Sequence, residues 1–231
     1  MRVKVNLSAS ENELLAHNQH IVNSFIHRVL GRDNKYHDAK NNYSVSSLQG
    51  GILIKDTDNI SFRDGGYIII SSLDTEFINS ILIGLYTKPF YNDIKVIGIE
   101  FIDEDFYDGW NHFVTLSPFI IKEYDNKHRY SFLTIDKSDF KTKVKEYLIK
   151  KIRNIDSKLD LSNFDIEIKE NINHKVKKVM VKNVINRANQ CHISILTNKK
   201  VANLLYNIGL GQSTGCGFGT IYKTENHKLY K

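Results

Sequence analysis

The chain has 231 residues, 41% of them apolar and 25% charged, the balance of a globular protein with room for one large domain or two of about 100–120 residues. No run approaches the roughly 18 apolar residues of a membrane span, and the opening MRVKVNLSAS has no apolar signal core, which argues against membrane and secretory classes. Net charge is +6, distributed unevenly: residues 1–110 hold 10 Lys/Arg against 15 Asp/Glu, and residues 111–231 hold 22 against 11, as expected of a chain that meets a polyanion with one half.

In chain order, MRVKVNLS alternates apolar and polar residues and predicts a strand with Val3, Val5 and Leu7 on one face. Ser10 and Glu13 have the spacing of a capping box, and a helical stripe of Leu14, Leu15, Val22, Phe25, Ile26, Val29 and Leu30 runs on to Gly31. After a polar segment over 32–47, ILIKD and YIIIS read as paired strands about the turn-rich SFRDGG. Residues 74–86 predict a second helix and DIKVIGIEFI another strand, which completes a β-α-β-β-α-β order.

The second half repeats that order. FVTLSPFIIKEY predicts a strand that YSFLTI continues or pairs with, and SDFKTKVKEYLIKKI an amphipathic helix with Phe140, Val144, Tyr147, Leu148 and Ile152 inward. FDIEIKE and KVKKVMVKNV flank Asn171–His174 as a hairpin, CHISIL adds a strand, and NKKVANLLYNIGL is the last helix before the strand FGTIY. The expected fold is α+β, two ferredoxin-like βαββαβ domains with antiparallel sheets, over residues 1–110 and 111–231. Cys191 and Cys216 lack metal-type spacing and read as reduced thiols, so a cytoplasmic location is expected. Asp103, Glu104, Asp105 and Asp108 read as a solvated connector; no metal site and no cofactor are expected.

Five of the 13 glycines, Gly209, Gly211, Gly215, Gly217 and Gly219, fall within NIGLGQSTGCGFGTIY. Such clusters occur where backbone approaches something closely, and exposed amides suit a phosphate. A P-loop is excluded by the missing Gly-Lys-Ser/Thr ending. A dinucleotide fingerprint is excluded because this loop follows a helix and enters a strand.

The stretch from Gly209 to Ile221 resembles the C-terminal glycine-rich motif of the RAMP superfamily, and within it the CRISPR precursor-RNA endoribonucleases (the Cas-six family). HNQHIVNSFIHRVLG resembles that family's first helix, KYHDAKNNYSVSSLQG its histidine-containing loop and following strand, and FVTLSPFII the start of its second half. The resemblance implies a protein that binds CRISPR repeat RNA and cuts it once per repeat without metal. Subunits of a CRISPR effector complex, or a second copy of the chain, stay open as further partners.

Metal-free cleavage uses the RNA's own 2′-OH as nucleophile and needs a base, an acid and positive charge near the phosphate. The resemblance points to His37 as the acid/base histidine, with His27 on the first helix and Tyr43 or Lys40 assisting. Lys175, Lys177, Lys178, Lys182 and Arg187 are expected to track phosphates, and the five glycines with Ser213 to seat the RNA through their amides. A non-catalytic RAMP subunit that scaffolds guide RNA shares the fold and the glycine loop. A general RRM-type binder is disfavoured because no aromatic RNP signature is present.

Overall fold

The structure, a computed structural model, describes residues 1–31, 34–36, 42–88, 90–169 and 174–224. The N-terminal half runs β1 (Arg2–Leu7), β2 (Ser10–Leu15), α1 (Gln19–Leu30), β3 (Tyr43–Val45), β4 (Ile52–Leu53), β5 (Asn59–Phe62), β6 (Gly66–Ser72), α2 (Thr75–Leu85) and β7 (Val96–Ile102). Its main sheet has the antiparallel order β3-β6-β1-β7, the ferredoxin-like arrangement, with β2-β5-β4 as a side sheet. Val3, Val5 and Leu7 of β1 are buried against Phe25 and Ile26 of α1 and Phe77 and Ile81 of α2. Each such side chain contributes roughly 1.5–3 kcal/mol by leaving water.

The C-terminal half runs β8 (Gly109–Thr115), β9 (Lys122–Tyr124), β10 (Tyr130–Phe132), α3 (Phe140–Ile155), β11 (Asp165–Lys169), β12 (Lys175–Val181), β13 (Val184–Gln190), β14 (His192–Thr197), α4 (Lys199–Ile208), a single 3₁₀ turn at Thr214–Cys216, and β15 (Ile221–Lys223). Its sheet order β11-β14-β8-β15 repeats that of the first half, so the fold is tandem ferredoxin-like. Phe140, Val144, Leu148 and Ile152, four residues apart along α3, are all buried, and Tyr147 packs partly buried beside them. The β12–β13 hairpin is an insertion between the second and third strands of this sheet.

Three sequence expectations give way to tertiary pairing. Ser10–Leu15 forms β2 rather than a helix start: Ser10 Oγ donates to Asp93, and Glu13 accepts from Asn59 Nδ2 across the side sheet at 2.8 Å instead of reaching back to Ser10. Helix α1 begins after Asn18, whose Oδ1 accepts from the Leu48 amide at 3.2 Å. Strand β4 pairs with β5, leaving β6 to β1 and β3, so ILIKD and YIIIS are not partners. Strand β11 pairs with β14, and β12 turns at Lys182 and Asn183 onto β13, so no hairpin joins FDIEIKE to KVKKVMV.

The two halves meet where the C-terminal end of α4 rests on the open face of the N-terminal sheet. That face is small-chained there: Ser44 and Ser71 are fully buried, their hydroxyls 2.9 Å apart, and Ser71 Oγ donates to Asn207 O at 2.9 Å. Arg2, on the same face and 2% exposed, donates to Tyr206 O at 3.0 Å and Ile221 O at 2.5 Å, with its guanidinium 3.9 Å over the Tyr206 ring. Burial lowers its pKa to about 10, so the side chain stays charged at neutral pH. Tyr206 O lies in the last turn of α4, where carbonyls lack helical partners and a cation complements the dipole.

Candidate nucleic-acid interface and active site

The glycine segment follows from how α4 ends. Gly209 closes the helix at φ 71°, donating to Leu205 O at 2.8 Å, and the chain doubles back so that Leu210 donates to Gly219 O at 2.8 Å. At Gly219 (φ +68°) a Cβ would stand 1.9 Å from Leu210 O, and at Gly211 2.4 Å from Ile120 O. No side chain fits at either position, because the obstacle is backbone. From below, Lys151 Nζ of α3 donates to Gly209 O at 2.8 Å, Gly211 O at 3.0 Å and Ile208 O at 3.3 Å. Withdrawal of this ammonium from water lowers its pKa to about 7, a shift the three carbonyl contacts oppose.

All five glycines are buried, and within residues 209–219 Ser213 alone is exposed. The amides of Gly209 and Gly219 are spent on Leu205 O and Pro118 O. The expectation that these two offer amides to a phosphate therefore does not match the structure: their absent side chains permit a tight internal crossing. That crossing joins the parts of the molecule. Thr214 Oγ1 donates to Tyr43 O at 2.8 Å, Cys216 Sγ contacts Asn23 Oδ1 at 3.5 Å, the Cβ site of Gly217 faces Gln19, and Phe218 packs with Ile120, Val179 and Ala188 beneath the β12–β13 hairpin.

Of the expected catalytic residues, His37 and Lys40 lie outside the described residues. Their flanks are well fixed. Tyr36, the residue before His37, sets its ring edge-on to Phe77 at 4.9 Å and donates to Asp74 Oδ2 at 3.2 Å. Tyr43 stacks on the other side of the gap against the same ring at 4.2 Å. Tyr43 is only 4% exposed and burial pushes its phenol up to about 12, which makes it a core residue rather than a surface group. His27 is half-buried on α1, one turn beyond Asn23 and hence on the helix face that meets the glycine segment.

The basic residues divide by strand register. Lys178 lies opposite Arg187, and both are exposed on the outer face of the hairpin. Lys177 shares the inner face with buried Val179; burial, then the charge of Lys175, lowers its pKa. Lys175 is exposed, as is Lys182, which turns the hairpin at φ 52°. Lys177 and Lys178 border an open groove of about 460 Å³ between the halves. Its other wall is His17 and Gln19 at the start of α1, with Ser47 and Gln49. Among the described residues the side-chain oxygens of Gln19 and Gln190, both at this groove, are buried without a hydrogen-bond partner. Buried polar atoms seldom stay so unless a ligand or water completes them.

His17, Gln19, Gln49 and Gln190 were not singled out in the sequence, because only the fold brings residues 17–19, 47–49 and 177–190 together. The acidic connector is engaged internally: Lys223 binds Glu104 at 3.7 Å and Asp105 O, and Asp108 accepts from the Lys199 amide at 2.8 Å. Among the described residues no helix is long and apolar enough to cross a membrane.

Several solved structures share the whole fold. An RAMP protein binding different RNA substrates is 22% identical, with TM-score 0.83 over 97% of this chain and 100% of its own. The product of a Cas6-related gene from Pyrococcus furiosus is 20% identical, with TM-score 0.82 over 98% and 99%. A Cas6 product complex is 12% identical, with TM-score 0.65 over 96% and 99%. No curated protein gives a significant sequence match. Residues 102–222 match the family described as CRISPR associated protein Cas6, C-terminal. That match spans more than half of the chain, which therefore belongs to the Cas6 family.

Proposed function

We propose that this chain binds CRISPR repeat RNA across the groove between its halves and cleaves it without metal, through attack of a 2′-OH on the adjacent phosphate. The observation that carries the reading is the groove. It pairs cations (Lys177, Lys178) with unpartnered amide oxygens (Gln19, Gln190), the complement of a phosphate backbone with base edges that donate hydrogen bonds. Relatives described as a Cas6 product complex and as an RAMP protein binding different RNA substrates support it. The glycine segment acts as a keystone here, fixing α1, Tyr43 and the hairpin around the groove rather than touching the reacting phosphate.

In this reading His37 moves the proton, since an imidazole titrates near neutrality and suits both base and acid roles. Described residues on either side of it, Tyr36 and Tyr43, both pack on Phe77 of α2. The test is cleavage of a repeat RNA in EDTA by the native chain and by His37→Ala, with a 2′-deoxy substrate as control. The expected result is one cut that survives EDTA, fails on the 2′-deoxy RNA and slows about 10²–10⁴-fold in the variant. Undiminished metal-free cutting in the variant would move the chemistry to His27. Tight binding without cutting would make the chain a scaffold for guide RNA.

A further inference from the structure

The β9–β10 hairpin has two chemically opposed faces. Its register sets Tyr124 opposite Tyr130 and Lys122 opposite Phe132, and alternation puts these four side chains on one face. Glu123, on the other face, is held by Lys143 at 2.7 Å and Lys137 at 3.2 Å, which ties the back of the hairpin to α3. The front is turned to water: Tyr124 is 63% exposed and Tyr130 43%. The rings form one cluster, with centroids 5.9 Å apart for Tyr124–Tyr130 and 5.5 Å for Tyr130–Phe132, and Lys122 Nζ lies 4.3 Å over Tyr130. The turn is rigid, since Asp125 accepts from the Lys127 and Arg129 amides and binds the Arg129 guanidinium at 2.9 Å. The chain after β10 then runs beside β13: Asn189 bonds Leu133 O and the Ile135 amide, and Asp136 lies 3.8 Å from Arg187.

We propose that this face is a stacking platform for unpaired bases of a bound RNA, with Lys122 and the neighbouring Arg187 meeting its phosphates. The proposal rests on the RNA-binding reading above and adds a site outside the groove. An exposed, preorganised aromatic cluster with a cation lying on it fits single-stranded RNA, whose bases present π-faces that a duplex keeps stacked within itself. A cross-strand tyrosine pair that served only to stabilise the hairpin would gain about 0.2–1 kcal/mol and would leave RNA affinity untouched.

The test uses the full chain and a labelled single-stranded oligouridylate of about 12 nucleotides, with an RNA duplex as comparison. Tyr124→Leu and Tyr130→Leu should each weaken single-strand binding about 5- to 150-fold while lowering the melting temperature by no more than about 2–4 °C. Tyr130→Trp should retain binding, and Lys122→Gln should flatten the salt dependence by about 0.7 in slope. Photocrosslinking of the native chain with 5-iodouridine RNA should map to Tyr124, Tyr130 or Phe132, and this arm decides the matter if a leucine variant fails to fold. Native binding with unchanged leucine variants, or crosslinks confined to the groove, would overturn the platform and leave the groove reading standing. Absence of any RNA binding by the native chain would overturn both.

Discussion

Gly219→Ala tests the keystone role of the glycine segment. A methyl group at that position would sit 1.9 Å from Leu210 O, far inside contact distance, and no rotamer relieves a clash with backbone. The added residue must also hold φ +68°, which costs roughly 1–2 kcal/mol for a side chain other than glycine. Relief requires opening the Leu210–Gly219 crossing, which loses a hydrogen bond of about 1 kcal/mol and strains the packing by about 1–3 kcal/mol. The sum is on the order of 3–6 kcal/mol, a large share of typical domain stability. For a chain of this size that lowers the melting temperature by about 10 °C. Gly98→Ala is the control, because its Cβ would meet nothing nearer than Asn6 Nδ2 at 3.6 Å. The assay is thermal unfolding followed by circular dichroism, with RNA affinity measured on the folded fraction. A Gly219→Ala protein that melts within about 2 °C of the native chain yet loses RNA affinity would refute the packing argument and return the glycine to RNA contact.

Two further outcomes follow from the seam and from surface charge. Arg2→Met keeps the aliphatic stem and removes two charge-assisted hydrogen bonds to Tyr206 O and Ile221 O; it should cost about 2–4 kcal/mol in urea unfolding, and an unchanged midpoint would show the seam to be held elsewhere. Hydrogen bonding to Lys143, then to Lys137, holds the Glu123 carboxyl below its ordinary 4.5. Its stabilising share is complete above that value and is lost as pH falls through it toward the lower folded-state pKa, because the unfolded chain takes up the proton first. Glu123→Gln should therefore flatten the acid limb of the stability profile below about pH 4.5 and leave an equally steep limb if the contact contributes nothing.

The elements with strong periodicity were legible in the sequence. Alternation in MRVKVNLS and the stripe on α3 state their structure locally, and the helices expected over 74–86 and NKKVANLLYNIGL are α2 and α4. Partner choice was not legible. Residues 165–181 look like two strands around an asparagine-rich turn, and they are two strands, but β11 finds β14 while β12 folds back at Lys182, whose left-handed conformation gives no glycine signal. The Ser10–Glu13 signal lost to side-sheet pairing for a similar reason, since long-range hydrogen bonds outweigh a local cap. The glycines announced a crowded place without saying what crowds it, and the answer, Leu210 O and Ile120 O, is the chain's own backbone. The groove has no sequence signature, because its walls come from segments more than 100 residues apart.

The contact between Arg2 and Ile221 O spans 219 residues. At about 5–20 residues per second of synthesis, Arg2 is made roughly 10–45 s before its acceptor exists. The N-terminal sheet needs nothing beyond β7 to close, so it forms early, with a guanidinium and two serine hydroxyls on a face still open to water. The seam therefore assembles late, and until residue 221 is made the nascent chain presents a polar, adhesive surface with no native partner yet made.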